Sequence, residues 1–283
     1  MPMIAATDFR PVIHALIGGH PTAGKSTGLT TFPKPLIVNL FDGLGKDGPY
    51  LKWGRERGAM IRDDRIHLAN GQDTGITSRH IETQTEGEIV INYFNDISPE
   101  SFCWYWWELY LKERSYLAYL ANASNPSGAG TFACDSVTFM EICARKYWCH
   151  QIAPPGSLEK KDGTSEKWAP RDASTDRLED SLVVHLGGIP VNYVVLAHFS
   201  NAKVDLNGRQ LYTISAPGRL ESQKILPALF AEQYRAFVED DSDNPGQKMY
   251  LWQTKPDPRF HCASQIGAPD PCWQDYNSLW EGY

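Results

Sequence analysis

The sequence has no apolar run of the length a membrane-crossing helix needs. Its first residues, MPMIAATDFRP, carry neither the basic start nor the long apolar stretch of a secretory leader. An intracellular, cytoplasmic protein without membrane association is therefore expected. Cysteine is sparse and unpatterned: Cys103, Cys134, Cys143, Cys149, Cys262 and Cys272 form no C-x-x-C pair. A disulfide framework is not indicated, and Cys143, Cys149 and His150, with His261 and Cys262 far downstream, have spacings that suit no familiar zinc site. Basic charge is short as well. A net charge of −7 gives no global attraction to nucleic acid, so any DNA contact has to come from a local basic surface.

What remains is ordinary globular material. At 283 residues, 42% hydrophobic and 22% charged, the chain can bury a full core, and one enlarged domain over 1–283 is the expectation.

The strongest single signal is GGHPTAGKST, residues 18 to 27, behind the apolar run VIHALI. From Gly19 it satisfies G-x-x-x-x-G-K-[ST], between a strand-like HALIGG and a helix-like KSTGLTTF that Pro33 stops. The chemistry explains the spacing. Phosphate oxygens are wrapped by consecutive backbone N–H groups, and a side chain at Gly19 or Gly24 would obstruct the wrap. Lys25 supplies a compact cation for the β- and γ-phosphates, Ser26 a hydroxyl for magnesium, and Thr27 reaches toward the α-phosphate. The start of the following helix adds N–H groups and a positive dipole end. Gly19, His20, Pro21, Thr22, Ala23, Gly24, Lys25, Ser26 and Thr27 form the expected nucleotide loop, with ATP and Mg2+ as cofactors.

Three later strands end on polar residues. KPLIVNLFDG (34–43) reads as a buried strand carrying Asp42 at its carboxyl end. GTFACDSVTFMEICARKYW (130–148) reads as a strand ending in Asp135, then Ser136 and an amphipathic helix, the pattern of a Walker B strand. IPVNYVVLAHFSN (189–201) is a third buried strand, with His198 at its end as a candidate γ-phosphate sensor. In a parallel sheet all three ends face the ligand crevice.

Other stretches are less specific. Residues 43–87 read as loops, a short helix near YLKWGRERG and a hairpin; EGEIVINYF (86–94) has strand character. Residues 98–123 repeat apolar positions at helical spacing, and Trp104, Trp106, Trp107 and Tyr110 fit a core stripe better than a base-stacking surface. Residues 153–176 read as a mobile loop in which Lys160, Lys161, Lys167 and Arg171 are nearly cancelled by Glu159, Asp162, Glu166 and Asp172. GRQLYTISAPGRL suggests a strand and turn, KILPALFAEQYRAFVE a helix, and KMYLWQTKPDPRF a strand. The Pro- and aromatic-rich end, 267–283, suggests a docking tail or a flap over the core.

The ordered series GGHPTAGKST, TFPKPLIVNLFDG, FACDSVTFME, VNYVVLAH and APGRLESQKILPALFAEQYRAF followed by QTKPDP resembles the phage-encoded P-loop ATPases of the AAA_24 type. These include RecA-like single-strand annealing proteins of the Sak group, and the similarity spans most of the chain. The resemblance implies an α/β fold of RecA-like P-loop type, with a central, mainly parallel sheet and helices on both faces. It implies Lys25 and Ser26 on phosphate and magnesium, Asp135 as the Walker B acid and His198 as the sensor. RecA-like enzymes commonly carry a water-orienting glutamate where this chain has the shorter Asp42. Lys255 and Arg259 are the remaining basic candidates for a neighbouring subunit's nucleotide, where the chain has HCASQ after KPDPRF.

The implied activity is Mg-dependent ATP hydrolysis by a homo-oligomer in the host-cell cytoplasm, binding single-stranded DNA for annealing or recombination beside phage replication or recombination proteins. The rival is a DNA-independent nucleotide switch serving a replication or packaging partner, which the acidic balance favours. A nucleoside kinase would need an arginine-rich lid, and none is visible in the sequence.

Overall fold

A computed structural model describes residues 11–42, 46–94, 103–122, 130–152, 169–199, 203–204, 210–212, 214 and 225–281. In chain order these residues form β1 (His14–Gly19), α1 (Lys25–Leu29), β2 (Leu36–Leu40), α2 (Gly48–Glu56), β3 (Met60–His67), β4 (Asp73–Thr83) and β5 (Gly87–Tyr93). Then come α3 (Cys103–Glu113), α4 (Ser115–Asn122), β6 (Thr131–Asp135), α5 (Val137–Ile152), and α6 (Ala169–Asp180), which runs into a π-helical turn, Ser181–His185. The remainder is β7 (Asn192–His198), β8 (Lys203–Val204), β9 (Gln210–Leu211), α7 (Ile225–Ala228), β10 (Glu232–Asp240), β11 (Lys248–Gln253), β12 (Cys272–Trp273) and a 3-10 turn, Asn277–Trp280.

Ten strands make one sheet in the order β12-β11-β10-β1-β7-β6-β2-β5-β4-β3. The six inner strands from β10 to β5 run parallel. Antiparallel strands extend the sheet at both edges, β11 and β12 on one side and β4 and β3 on the other. The sheet is thus mixed, and the expectation of a mainly parallel one is corrected. The sequence between Asp42 and Gly87 folds after α2 into an antiparallel meander, whose charged and outwardly exposed β3 gives no buried-strand signal.

The inner strands read as continuous apolar runs because both of their faces are covered. On one face Leu16, Ile37, Phe132, Cys134 and Val195 pack against α3 to α6. On the other Ala15, Ile17, Val38, Ala133 and Leu196 pack against α1, α2 and the C-terminal residues Trp252, Leu279 and Trp280. Helices lie on both faces, as expected. Trp104 and Trp107 are fully buried, and Trp107 meets the rings of Phe41, Phe94 and Phe132, so this aromatic stripe is core.

Three further expectations change. Of the single helix expected over 98–123, the described residues 103–122 form two helices, broken at Arg114, whose φ of 49° leaves the helical region. KILPALFAEQYRAFVE is not a helix: after α7 it becomes β10, with burial alternating from Glu232 to Phe237. Helix-forming Glu232, Gln233, Arg235 and Ala236 lose there to pairing with β1 along five registered residues. The loop expected over 153–176 lies outside the described residues up to 168. From Ala169 onward it is α6, with Pro170 in the first turn, where proline is tolerated. Of the two expectations for the C-terminal residues, the described ones form β12 and the 3-10 turn, burying Cys272, Tyr276, Leu279 and Trp280 against the core.

Candidate functional site

The carboxyl ends of β1, β2, β6 and β7 surround a cavity of about 380 Å3. The loop after β1 is its floor. Gly24 holds φ 81° and Thr22 holds φ 67°, the left-handed region that a β-branched residue adopts only under strain of about 1–3 kcal/mol. Glycine is required twice. A Cβ at Gly19 would stand 2.8 Å from the Ala236 carbonyl, and one at Gly24 would stand 2.6 Å from both Gln274 Oε1 and Tyr250 Cδ1.

Helix α1 is only five residues long, shorter than KSTGLTTF suggests. Thr30 Oγ1 donates to the Thr27 carbonyl and Thr31 Oγ1 to the Gly28 carbonyl, both at 2.7 Å, which closes the helix early. Lys34 Nζ caps the end by donating to the carbonyls of Thr30 and Phe32. Little macrodipole accumulates over so short a helix, so the cradle rests on loop N–H groups and on Lys25.

Lys25 is buried, and its Nζ donates to the carbonyls of Gly19 at 3.0 Å and His20 at 2.9 Å. Burial pushes its ammonium down to about 8, against the attraction of Asp135 and Asp42. Ser26 Oγ donates to Asp135 Oδ2 at 2.8 Å, and the fully buried Tyr50 hydroxyl, from α2, donates to the same oxygen at 2.9 Å. Burial raises the Asp135 carboxyl above its ordinary range, while these two donors pull it back. The Phe41 N–H donates to the Asp135 carbonyl at 2.8 Å, aligning the ends of β2 and β6.

Asp42 lies just past β2, with His198 Nε2 at 3.9 Å and Lys46 Nζ at 3.8 Å from its Oδ2. The three polar strand ends therefore meet, as the sequence suggests, at one wall of the cavity. His20 points elsewhere: its ring meets Phe199 and Tyr212 edge-on, each at 5.6 Å. Pro21, Thr22, Ala23 and Thr27 line the cavity, whereas Lys255 and Arg259 are not among its lining residues. Lys160, Lys161 and Lys167 lie outside the described residues.

The sequence pattern misses four lining residues, Lys46, Pro49, Lys52 and Tyr250, and the buried Tyr50 behind them. Tyr50 sits in the unassigned stretch after Asp42, with no motif to mark it. Tyr250 could have been found as an aromatic on a strand whose opening residues alternate in polarity.

The donor set can be tested against magnesium. Among the described residues no three His, Cys, Asp or Glu side chains converge on a metal position. Ser26 and Asp135 offer two hard oxygens, which suits a cation that keeps several waters and takes its remaining ligands from phosphate. No protein-family model matches the chain, and no curated protein matches it.

Proposed function

We propose that this protein is a Mg-dependent, RecA-like ATPase. The observation that carries the reading is the 2.8 Å hydrogen bond between Ser26 and Asp135, which joins the end of a complete glycine-lysine loop to an acid two strands away across β7. The strained Thr22 backbone supports it, since such strain collects at ligand clamps.

In this reading the N–H groups of Thr22 and of Gly24 to Thr27 bind the phosphates. Lys25 exchanges its bonds to the Gly19 and His20 carbonyls for phosphate oxygens of the β- and γ-groups. Ser26 and Asp135 would hold magnesium, which would supply positive charge against the β- and γ-phosphate oxygens. Asp42 accepts a proton or hydrogen bond from the attacking water, and His198 beside it donates to the γ-phosphate. Tyr50 keeps the Asp135 carboxylate aimed.

The family resemblance extends the proposal to a homo-oligomer, organised by ATP, that binds single-stranded DNA and assists annealing or recombination among phage replication or recombination proteins. A net charge of −7 favours the second reading, a nucleotide-switched adaptor that binds no DNA.

One experiment separates the readings: ATP hydrolysis by wild type and Lys25→Ala with and without single-stranded DNA, alongside DNA binding over a salt series. The recombination reading expects DNA-stimulated hydrolysis that Lys25→Ala abolishes, and affinity that falls steeply with salt. ATP binding with no DNA effect leaves the adaptor. Absence of ATP binding ends both.

A further inference from the structure

Beyond the phosphate cradle, the same face of the sheet carries an apolar ledge. Tyr250 on β11 and Val238 on β10 are directly paired, so both side chains project to one face. They are among the few large apolar side chains left open, at 44% and 36% exposure. Tyr250 also lines the cavity, and its ring touches the position where Gly24 lacks a Cβ, 2.6 Å from Cδ1.

Direction follows from sheet order. Ser26 and Asp135 mark the end where the outer phosphates belong, toward β6. A chain of phosphates laid back along the loop from there leaves the cradle on the opposite side, toward β10 and β11. Whatever the α-phosphate carries must then cross Tyr250.

Resting on the nucleotide reading above, we infer that Tyr250, with Val238 beside it, is the nucleobase platform, and that it takes purine nucleoside triphosphates by stacking. A flat, polarizable base gains from the ring face, and a purine offers more face than a pyrimidine. The neighbouring pair on that face is the Lys248–Asp240 ion pair at the solvent edge. Recognition is therefore by shape, and ATP and GTP bind within a few-fold of each other.

The test compares equilibrium binding of Mg-ATP, Mg-GTP, Mg-CTP and Mg-tripolyphosphate to wild type, Tyr250→Ala and Tyr250→Phe. Tyr250→Ala is expected to lose about tenfold to a hundredfold in ATP and GTP affinity, with tripolyphosphate unchanged and Tyr250→Phe near wild type. An equal loss for tripolyphosphate would make Tyr250 a support for the Gly24 turn and overturn the base role. The wild-type comparison needs no variant to fold: equal affinity for ATP, CTP and tripolyphosphate sinks the platform while leaving the phosphate site standing. If wild type binds none of the four, the nucleotide reading fails and the platform with it.

Discussion

Gln274→Leu is the sharpest probe of how the loop after β1 is held. The Gln274 side-chain N–H group donates to the Ala23 carbonyl at 2.8 Å and the Leu251 carbonyl at 3.0 Å, so one amide ties the loop to β11 from the C-terminal segment. Leucine has nearly the same volume and keeps the packing against Gly28, where the Gln274 Cβ closes the space. The change then isolates hydrogen bonding. Two buried carbonyls lose a donor, each worth about 1–3 kcal/mol. Against this, Gln274 Oε1 is buried without a hydrogen-bond partner among the described residues, and deleting it returns about 1 kcal/mol. The net loss is about 3 kcal/mol. With a urea slope of about 3 kcal/mol per molar for a chain of this size, the unfolding midpoint falls by about 1 M. Tryptophan fluorescence and far-UV circular dichroism should report the same midpoint, and tripolyphosphate affinity should fall with it. A midpoint shift under about 0.3 M at unchanged slope would refute the brace.

Other outcomes follow from the same geometry. Gly24→Ala forces an alanine to φ 81° and puts its methyl 2.6 Å from two neighbours; a stability loss of about 2–3 kcal/mol and loss of ATP binding by calorimetry are expected, and wild-type affinity would contradict them. Burial pushes the Lys34 ammonium from 10.5 down to about 7, so between these values the unfolded chain holds a proton that the folded one lacks and stability rises with pH. Lys34→Met should flatten that rise in urea titrations at about pH 7 and about pH 10; an unchanged rise would remove Lys34 as its source. Trp107→Ala opens a cavity in the aromatic core and should lose about 3–5 kcal/mol in urea titrations; a DNA affinity present in wild type and selectively lost in the folded variant would reinstate the stripe as a stacking surface.

The inner sheet was legible because burial on both faces writes short apolar runs, as in Leu36–Val38 and Tyr193–Ala197. The site was legible where a motif fixes spacing, from Gly19 to Thr27, and where a strand ends on a polar residue, at Asp42, Asp135 and His198. The parts that escaped depend on distant partners. Glu232–Asp240 carries helix formers and becomes a strand only because β1 lies beside it. Met60–His67 lies at the sheet edge with both faces largely open, so nothing in its composition requires a strand. Tyr50 gains its meaning from Asp135, 85 residues on, and no local pattern encodes such a contact.

The tie between Ala23 and Gln274 spans 251 residues, and β1 itself is flanked by β7 and β10, both formed late in the chain. During synthesis at about 5–20 residues per second, the loop leaves the ribosome roughly 13–50 s before the amide that braces it. The nascent chain meanwhile carries an apolar strand without its neighbours and a loop without its fastening. Non-local closure of this kind folds slowly. A release just short of Gln274 would yield a chain with every loop residue present and without the amide that ties Ala23 to β11.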